Sequence, residues 1–109
     1  MPQNQLSSSC YFLLKEIPKG KVTTYKALAK VLNTKAYRAI GQIMKRNPNP
    51  ITTPCYKVVK SDGSLGGYLG PDPKNISKKI QLLKNDGIEI ENNKVNLDKY
   101  LFDFNINKV

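Results

Sequence analysis

Apolar residues recur at helical spacing in four stretches of the chain, and short turn-forming segments separate them. The stretch SSSCYFLLKEIPKG places Cys10, Tyr11, Leu13, Leu14 and Ile17 at that spacing. It predicts a helix started by a serine and stopped near Pro18 and Gly20. In KVTTYKALAKVLN, Ala27, Leu28, Val31 and Leu32 fall on one face and Thr23 or Thr24 stands where an N-cap is needed. After a break at Asn33-Thr34, KAYRAIGQIMKR gathers Ala36, Ala39, Ile40, Ile43 and Met44 on one side and leaves Arg38, Gln42 and Lys45 on the other. Two short helices joined by a tight polar turn, the second with basic residues off its apolar face, have the outline of a helix-turn-helix.

The second half alternates differently. Pro48, Pro50 and Pro54 exclude a regular helix through NPNPITTPC. YKVV reads as a short strand, and SDGSLGGYLGPDP as a glycine-rich loop able to approach a ligand or another backbone closely. NISKKIQLLKNDG predicts a last helix with Asn75 or Ser77 near its start and Gly87 as its C-terminal stop. IEIENNKVNL predicts a hairpin turning at Asn92-Asn93, followed by a tail, DKYLFDFNINKV, that packs in part and frays. The fold class expected is mixed α/β with helices dominant, a winged-helix-like domain with a small β-hairpin. At 109 residues the chain suits one domain, 1–109, with one modest core.

Charge changes this picture. Residues 1–60 hold eleven Lys and Arg against the single acid Glu16, whereas residues 61–109 hold seven of each sign. All of the excess of +10 therefore lies in the first half of the chain. Such asymmetry reads as a footprint for a polyanion, nucleic acid above all; the alternative is a solvated lysine-rich surface. No apolar run reaches membrane-spanning length, and MPQNQLSSSC lacks the regions of a signal peptide, so no membrane partner and an intracellular location are expected. Two cysteines without any histidine do not make a usual zinc site.

The cysteines differ in context. Cys10 lies within a periodic apolar face and reads as a small buried side chain. Cys55 follows a proline-rich turn, lies on no such face, and has Lys57 and Lys60 close in sequence. A cationic setting favours the thiolate, the nucleophilic form. Spacing alone leaves an incidental cysteine equally open.

The stretch RAIGQIMKRNPNPITTPCYKVVKSDGSLGGY resembles the active-site region of the O6-alkylguanine-DNA alkyltransferases, the methylated-DNA–protein-cysteine methyltransferases. There an Arg-Ala-Val-Gly helix leads through Arg-Asn-Pro to Pro-Cys-His-Arg-Val and a Gly-Gly-Tyr loop. The resemblance runs from about Ser9 to Leu101 and includes GKVTTYKALA and LLKNDG, without the family's usual N-terminal domain. It implies a DNA repair protein that flips O6-alkylguanine out of duplex DNA and takes the alkyl group irreversibly on Cys55, once per molecule and with no cofactor. On this resemblance Arg38 is the finger that fills the place of the flipped nucleotide. Tyr25 stands near the 3′ phosphate and donates a proton to O6 as guanine leaves. Met44, Val58, Val59 and Tyr68 wall the base pocket, and Asn47 ties the DNA-binding helix to the active-site turn. Thr24, Tyr25, Ala36, Tyr37, Arg38, Ala39 and Gly41 meet double-stranded DNA. A monomer is expected, at the nucleoid in the cytoplasm or in a eukaryotic nucleus.

The sequence departs from the family where the cysteine is activated. Tyr56 replaces the histidine that relays the thiol proton, and Asp86 stands in place of the supporting glutamate. In one reading Cys55 still reacts, its proton passing to water or through a Tyr56-Asp86 hydrogen-bond chain and its thiolate stabilised by Lys57 and local backbone amides. In a second the chain recognises alkylguanine without repairing it, like the alkyltransferase-like proteins, although those usually replace the cysteine itself. A third, a helix-turn-helix regulator sensing alkylators or oxidants through Cys55, needs sequence readout, normally through a major-groove helix and dimer symmetry, whereas Ala-Tyr-Arg-Ala-Ile-Gly is poor in base-reading side chains and nothing marks a dimer interface.

Overall fold

The computed structural model describes residues 3–50, 52–66, 73–102 and 104. Helix α1 (Gln3–Glu16) leads to a two-residue strand β1 (Thr23–Thr24), which runs directly into α2 (Tyr25–Val31). Helix α3 (Tyr37–Lys45) follows, then a 3-10 turn over Cys55–Lys57 that opens into β2 (Val58–Val59). Helix α4 (Pro73–Asn85), a hairpin of β3 (Ile90–Glu91) and β4 (Lys94–Val95), and the single turn α5 (Leu97–Tyr100) complete the order.

Local chemistry accounts for most boundaries. Thr24 is extended and its Oγ1 accepts the Ala27 amide at 3.0 Å, so it caps α2. Asn33 adopts a left-handed φ of 53°, and Thr34 Oγ1 accepts the Ala36 amide, which turns the chain from α2 into α3. These two helices pack on each other as the predicted helix-turn-helix. The hairpin turns on Asn92 and Asn93, both at positive φ, as expected.

Two boundaries differ from expectation. Helix α1 begins at Gln3, ahead of the serine run, because Leu6 extends the apolar face of Cys10, Leu14 and Ile17 by one more turn. Helix α4 begins at Pro73, before Asn75 and Ser77; proline is well suited to a first helical turn, where its missing N–H has no intrahelical partner.

The core is in two clusters. One joins α1, α2 and α3 through Leu14, Leu28, Ile40, Ile43 and Met44, and includes Cys10, Cys55 and Val58. The other surrounds Val22, Val59, Leu65, Leu83, Ile88, Val95 and Tyr100. Between them runs the parallel pair β1–β2, with Thr23 opposite Val58 and Thr24 opposite Val59. Since successive strand residues face opposite ways, Val58 goes to the first cluster and Val59 to the second. That pairing positions the site: it sets the start of α2 beside the turn that carries Cys55.

Candidate active site and nucleic-acid interface

Cys55 is a free thiol, 4% exposed, at the start of the 3-10 turn. The turn is held by its own backbone: the Cys55 amide donates to Thr53 O, the Lys57 amide to Pro54 O, and the Val58 amide to Cys55 O. Asn47, buried just beyond α3, donates from Nδ2 to Thr53 O at 2.7 Å and accepts the Asn49 amide on Oδ1 at 3.0 Å. One amide side chain thus ties the end of α3 to the residue pair before the cysteine.

Tyr25 opens α2 immediately after β1, and the β1–β2 register brings it near Cys55. Burial pushes its phenol pKa up, and a negative charge on Cys55 would push it further. Tyr11 of α1, whose Oη donates to Ile43 O, feels burial and the same sulfur. The Cys55 thiol is itself raised, first by desolvation; the Asn47 hydrogen bond, the Lys79 charge and a backbone hydrogen bond oppose that rise.

The placement of Lys57 corrects the expectation built on it. Lys57 is buried, and its Nζ donates to Ile17 O at 2.9 Å and Pro18 O at 3.3 Å, with Asp86 Oδ2 at 3.9 Å. It closes the end of α1 against the C-terminal end of α4. Lys60 is exposed, with its aliphatic stem lying beside Gly66. Lys79 of α4 is wholly buried beside this turn, its Nζ donating to Val58 O and Leu65 O, a residue that proximity in sequence to Cys55 does not reveal. The signal was present, since Lys79 lies between Ile76, Ile80 and Leu83 on the inward face of its helix.

Tyr56 and Asp86 do meet: Tyr56 Oη donates to Asp86 Oδ2 at 2.7 Å. Asp86 is fixed there by the way α4 ends. Gly87 takes a left-handed φ of 87°, its amide donates to Lys84 O, and the Ile88 amide donates to Leu83 O, while Leu83 and Ile88 pack in the same cluster. This is a Schellman stop, and it makes Asp86 the C-cap that follows Asn85. A carboxylate there opposes the helix dipole. The tyrosine hydroxyl and the nearby Lys57 ammonium offset that cost.

The remaining predicted residues divide by position. Arg38 and Tyr37 are exposed at the start of α3, and Ala36, Ala39 and Gly41 are half-buried beside them. A methyl group added at Gly41 would meet nothing within 4 Å, so contacts within the chain give no reason for glycine there. Lys26, Lys30, Lys35, Arg38, Lys45 and Arg46 are all exposed, which puts the basic half of the chain on the α2–α3 surface. Tyr25, Lys26, Tyr37, Lys60 and Ser61 line a cleft of about 360 Å³ on that side. Met44 and Val58 pack in the cluster that contains Cys55. Val59, expected on the pocket wall, faces the other cluster. Thr24, expected at the DNA, is 4% exposed and occupied as the cap of α2. Tyr68 lies outside the described residues.

Residues 5–88 match the family described as 6-O-methylguanine DNA methyltransferase, DNA binding domain. The chain belongs to this DNA repair family. It is 50% identical over 104 residues to a bifunctional methyltransferase/endonuclease of Picrophilus torridus, covering 94% of this chain and 33% of that protein. It is 51% identical over 71 residues to a methylated-DNA–protein-cysteine methyltransferase of Pyrobaculum aerophilum, covering 65% and 45%. The chain therefore spans between a third and a half of the length of these relatives. Among solved structures, S. pombe Atl1 in complex with damaged DNA containing O6-carboxymethylguanine superposes with a TM-score of 0.83 at 26% identity, covering 94% of this chain and 99% of that one. Architecture and motifs agree on the alkyltransferase fold with its helix-turn-helix.

Proposed function

We propose that this domain binds duplex DNA through α2 and α3, flips an O6-alkylguanine, and transfers the alkyl group to Cys55. The observation that carries this reading is the placement of Cys55 as a free thiol between Tyr25 and Asn47, at the inner end of the helix that exposes Arg38. An O6 substituent inside a duplex is out of reach of a buried sulfur, so the nucleotide has to leave the stack. Arg38 fills the vacated position, and the small residues Ala36, Ala39 and Gly41 let α3 come close to the groove. The Cys55 sulfur forms a bond to the alkyl carbon as the bond from that carbon to O6 breaks. Guanine leaves with the electron pair and takes a proton from Tyr25. The product is a stable thioether, so the protein acts once and needs no base to regenerate it.

The thiol has to lose its proton before attack, and here Tyr56 takes the position of an imidazole. An ordinary phenol, with a pKa near ~10, is a poor base. The Tyr56–Asp86 hydrogen bond offers a path for the proton toward the end of α4, and the raised thiol pKa makes transfer slow at neutral pH and faster in mild alkali.

The same observation supports a second reading, lesion recognition without transfer, the behaviour to which the similarity to Atl1 bound to damaged DNA also points. Intact-protein mass after incubation with a duplex carrying one O6-methylguanine separates the two. Transfer predicts a gain of one methyl that Cys55→Ser abolishes. Tight, lesion-selective binding with no gain in mass would leave a damage sensor and overturn transfer.

A further inference from the structure

Helix α3 turns Ile40, Ile43 and Met44 into the core and leaves Arg38, Gln42 and Lys45 exposed on the opposite face. On that face Gln42 stands one turn after Arg38 and one turn before Lys45, the spacings at which helical side chains are neighbours. Such side chains lean toward the helix N-terminus, so the Gln42 amide covers the turn from which Arg38 projects. It makes no hydrogen bond with any described residue, and neither α2 nor α3 carries an acidic residue. Gly41 adjoins it. Glycine inside a helix is destabilising relative to alanine, yet a methyl group added here would meet nothing within 4 Å. The fold gains nothing from the bare backbone, which leaves close approach by a surface outside the chain as its use. Whatever comes down on Gly41 meets Gln42 as well.

We propose that Gln42 reads a base pair next to the lesion and is a specificity-determining residue of this domain. This rests on the reading that α3 enters the groove of a duplex bearing O6-alkylguanine, and it adds a sequence preference which that reading does not contain. Arg38 and Lys45 offer donors only. The Gln42 amide offers a donor and an acceptor side by side, the complement of a base edge that presents one of each. Adenine does so in the major groove through N7 and its N6 amino group, and guanine in the minor groove, where its N2 amino donor lies among acceptors. A neutral amide adds nothing to the attraction for phosphates, and base contact accounts for its place between two cations. A single reading residue gives a preference among neighbours of the lesion, far short of the specificity of an operator-binding regulator.

The test is equilibrium binding, by fluorescence anisotropy, to duplexes with one O6-methylguanine whose 5′ and 3′ neighbouring pairs are varied in turn through all four choices. Cys55→Ser is used throughout to prevent transfer, so the outcome does not depend on whether the chain repairs what it binds. Affinity should vary by about fivefold or more across the four pairs at one of the two positions. Adding Gln42→Met keeps the length and helix preference and removes the amide. It should bring the four pairs within about twofold of one another and leave the melting temperature and salt dependence unchanged. Lys45→Met should instead weaken binding to every duplex alike and make the salt dependence shallower. Lesion-selective binding indifferent to the neighbours, or a preference that survives Gln42→Met, would overturn the proposal and leave lesion recognition standing. Equal affinity for duplexes with and without the lesion would overturn lesion recognition itself, and this inference with it.

Discussion

Tyr56 donates a hydrogen bond from its hydroxyl to Asp86 at 2.7 Å, joining the residue after the cysteine to the residue that caps the end of α4. The pair keeps the geometry of a proton relay but holds a phenol where a base with a pKa near neutrality would serve. Replacing Tyr56 by histidine should therefore supply that base beside an existing carboxylate. Transfer from an O6-methylguanine duplex at pH 7 is expected to accelerate about tenfold or more. Single-turnover kinetics at pH 7 and pH 9 check this, and the gain should shrink at the higher pH, where the thiol ionises unaided.

Arg38 is exposed at the head of α3 and takes no part in the core. Arg38→Ala should leave the melting temperature within a degree or two and slow transfer from duplex DNA by at least about tenfold, since nothing then fills the vacated stack. A short single-stranded oligonucleotide with the same lesion should lose much less. With α2 and α3 facing the duplex, as proposed, their exposed lysines would meet phosphates, and binding to unrelated duplexes should weaken steeply with salt. Fluorescence anisotropy at two salt concentrations reads that slope.

Thr23 is wholly buried, and its Oγ1 finds no hydrogen-bond partner, although the residue sits in the β1–β2 pair that aligns Tyr25 with Cys55. Thr23→Val keeps the shape, keeps the strand preference and removes the stranded hydroxyl. A stabilisation of about 1–2 kcal/mol is expected by chemical denaturation. Transfer kinetics should be unchanged if the register is retained.

Cys10 is 0% exposed, and burial raises its thiol from 9.0 to about 11. Its folded pKa lies above its unfolded one, so its contribution is full below pH 9 and is lost as pH rises from 9 to about 11. Two units correspond to about 2–3 kcal/mol. Cys10→Ala should flatten that alkaline decline relative to the natural chain, as read from urea midpoints across the interval. Lys79 works in the opposite sense, since a lysine lowered to about 8 adds stability as pH rises from there toward 10.5. Lys79→Met should accordingly be most stabilised, relative to the natural chain, below pH 8.

Most of the elements were legible because their signals are local. Thr24 before an apolar period, Gly87 after one, Asn92-Asn93 between two short β-like runs and prolines through residues 48–54 act within a few residues of themselves. The one-turn helix α5 was not anticipated; Asn96 caps it by accepting the Asp98 amide, but four residues give too little periodicity to distinguish it from tail. Within YKVV only Val58 and Val59 form a strand, because the proline before Cys55 and the Cys55 O to Val58 N bond coil Tyr56 and Lys57 into the turn.

By itself, the sequence determined the helix-turn-helix, the basic first half, the candidate nucleophile Cys55 and the loss of its usual histidine, since each depends on residue type and short spacing. Tertiary structure decided where the buried lysines go. Lys57, two residues away, turns to the end of α1, whereas Lys79, twenty-four residues away, enters the same interior from α4. The Tyr56–Asp86 contact and the approach of Tyr25 to Cys55 likewise arise from helix packing and the parallel β1–β2 register. Such long-range placements follow from how whole faces are buried together, and electrostatic neighbours inside a low-dielectric core are set by that burial rather than by distance along the chain.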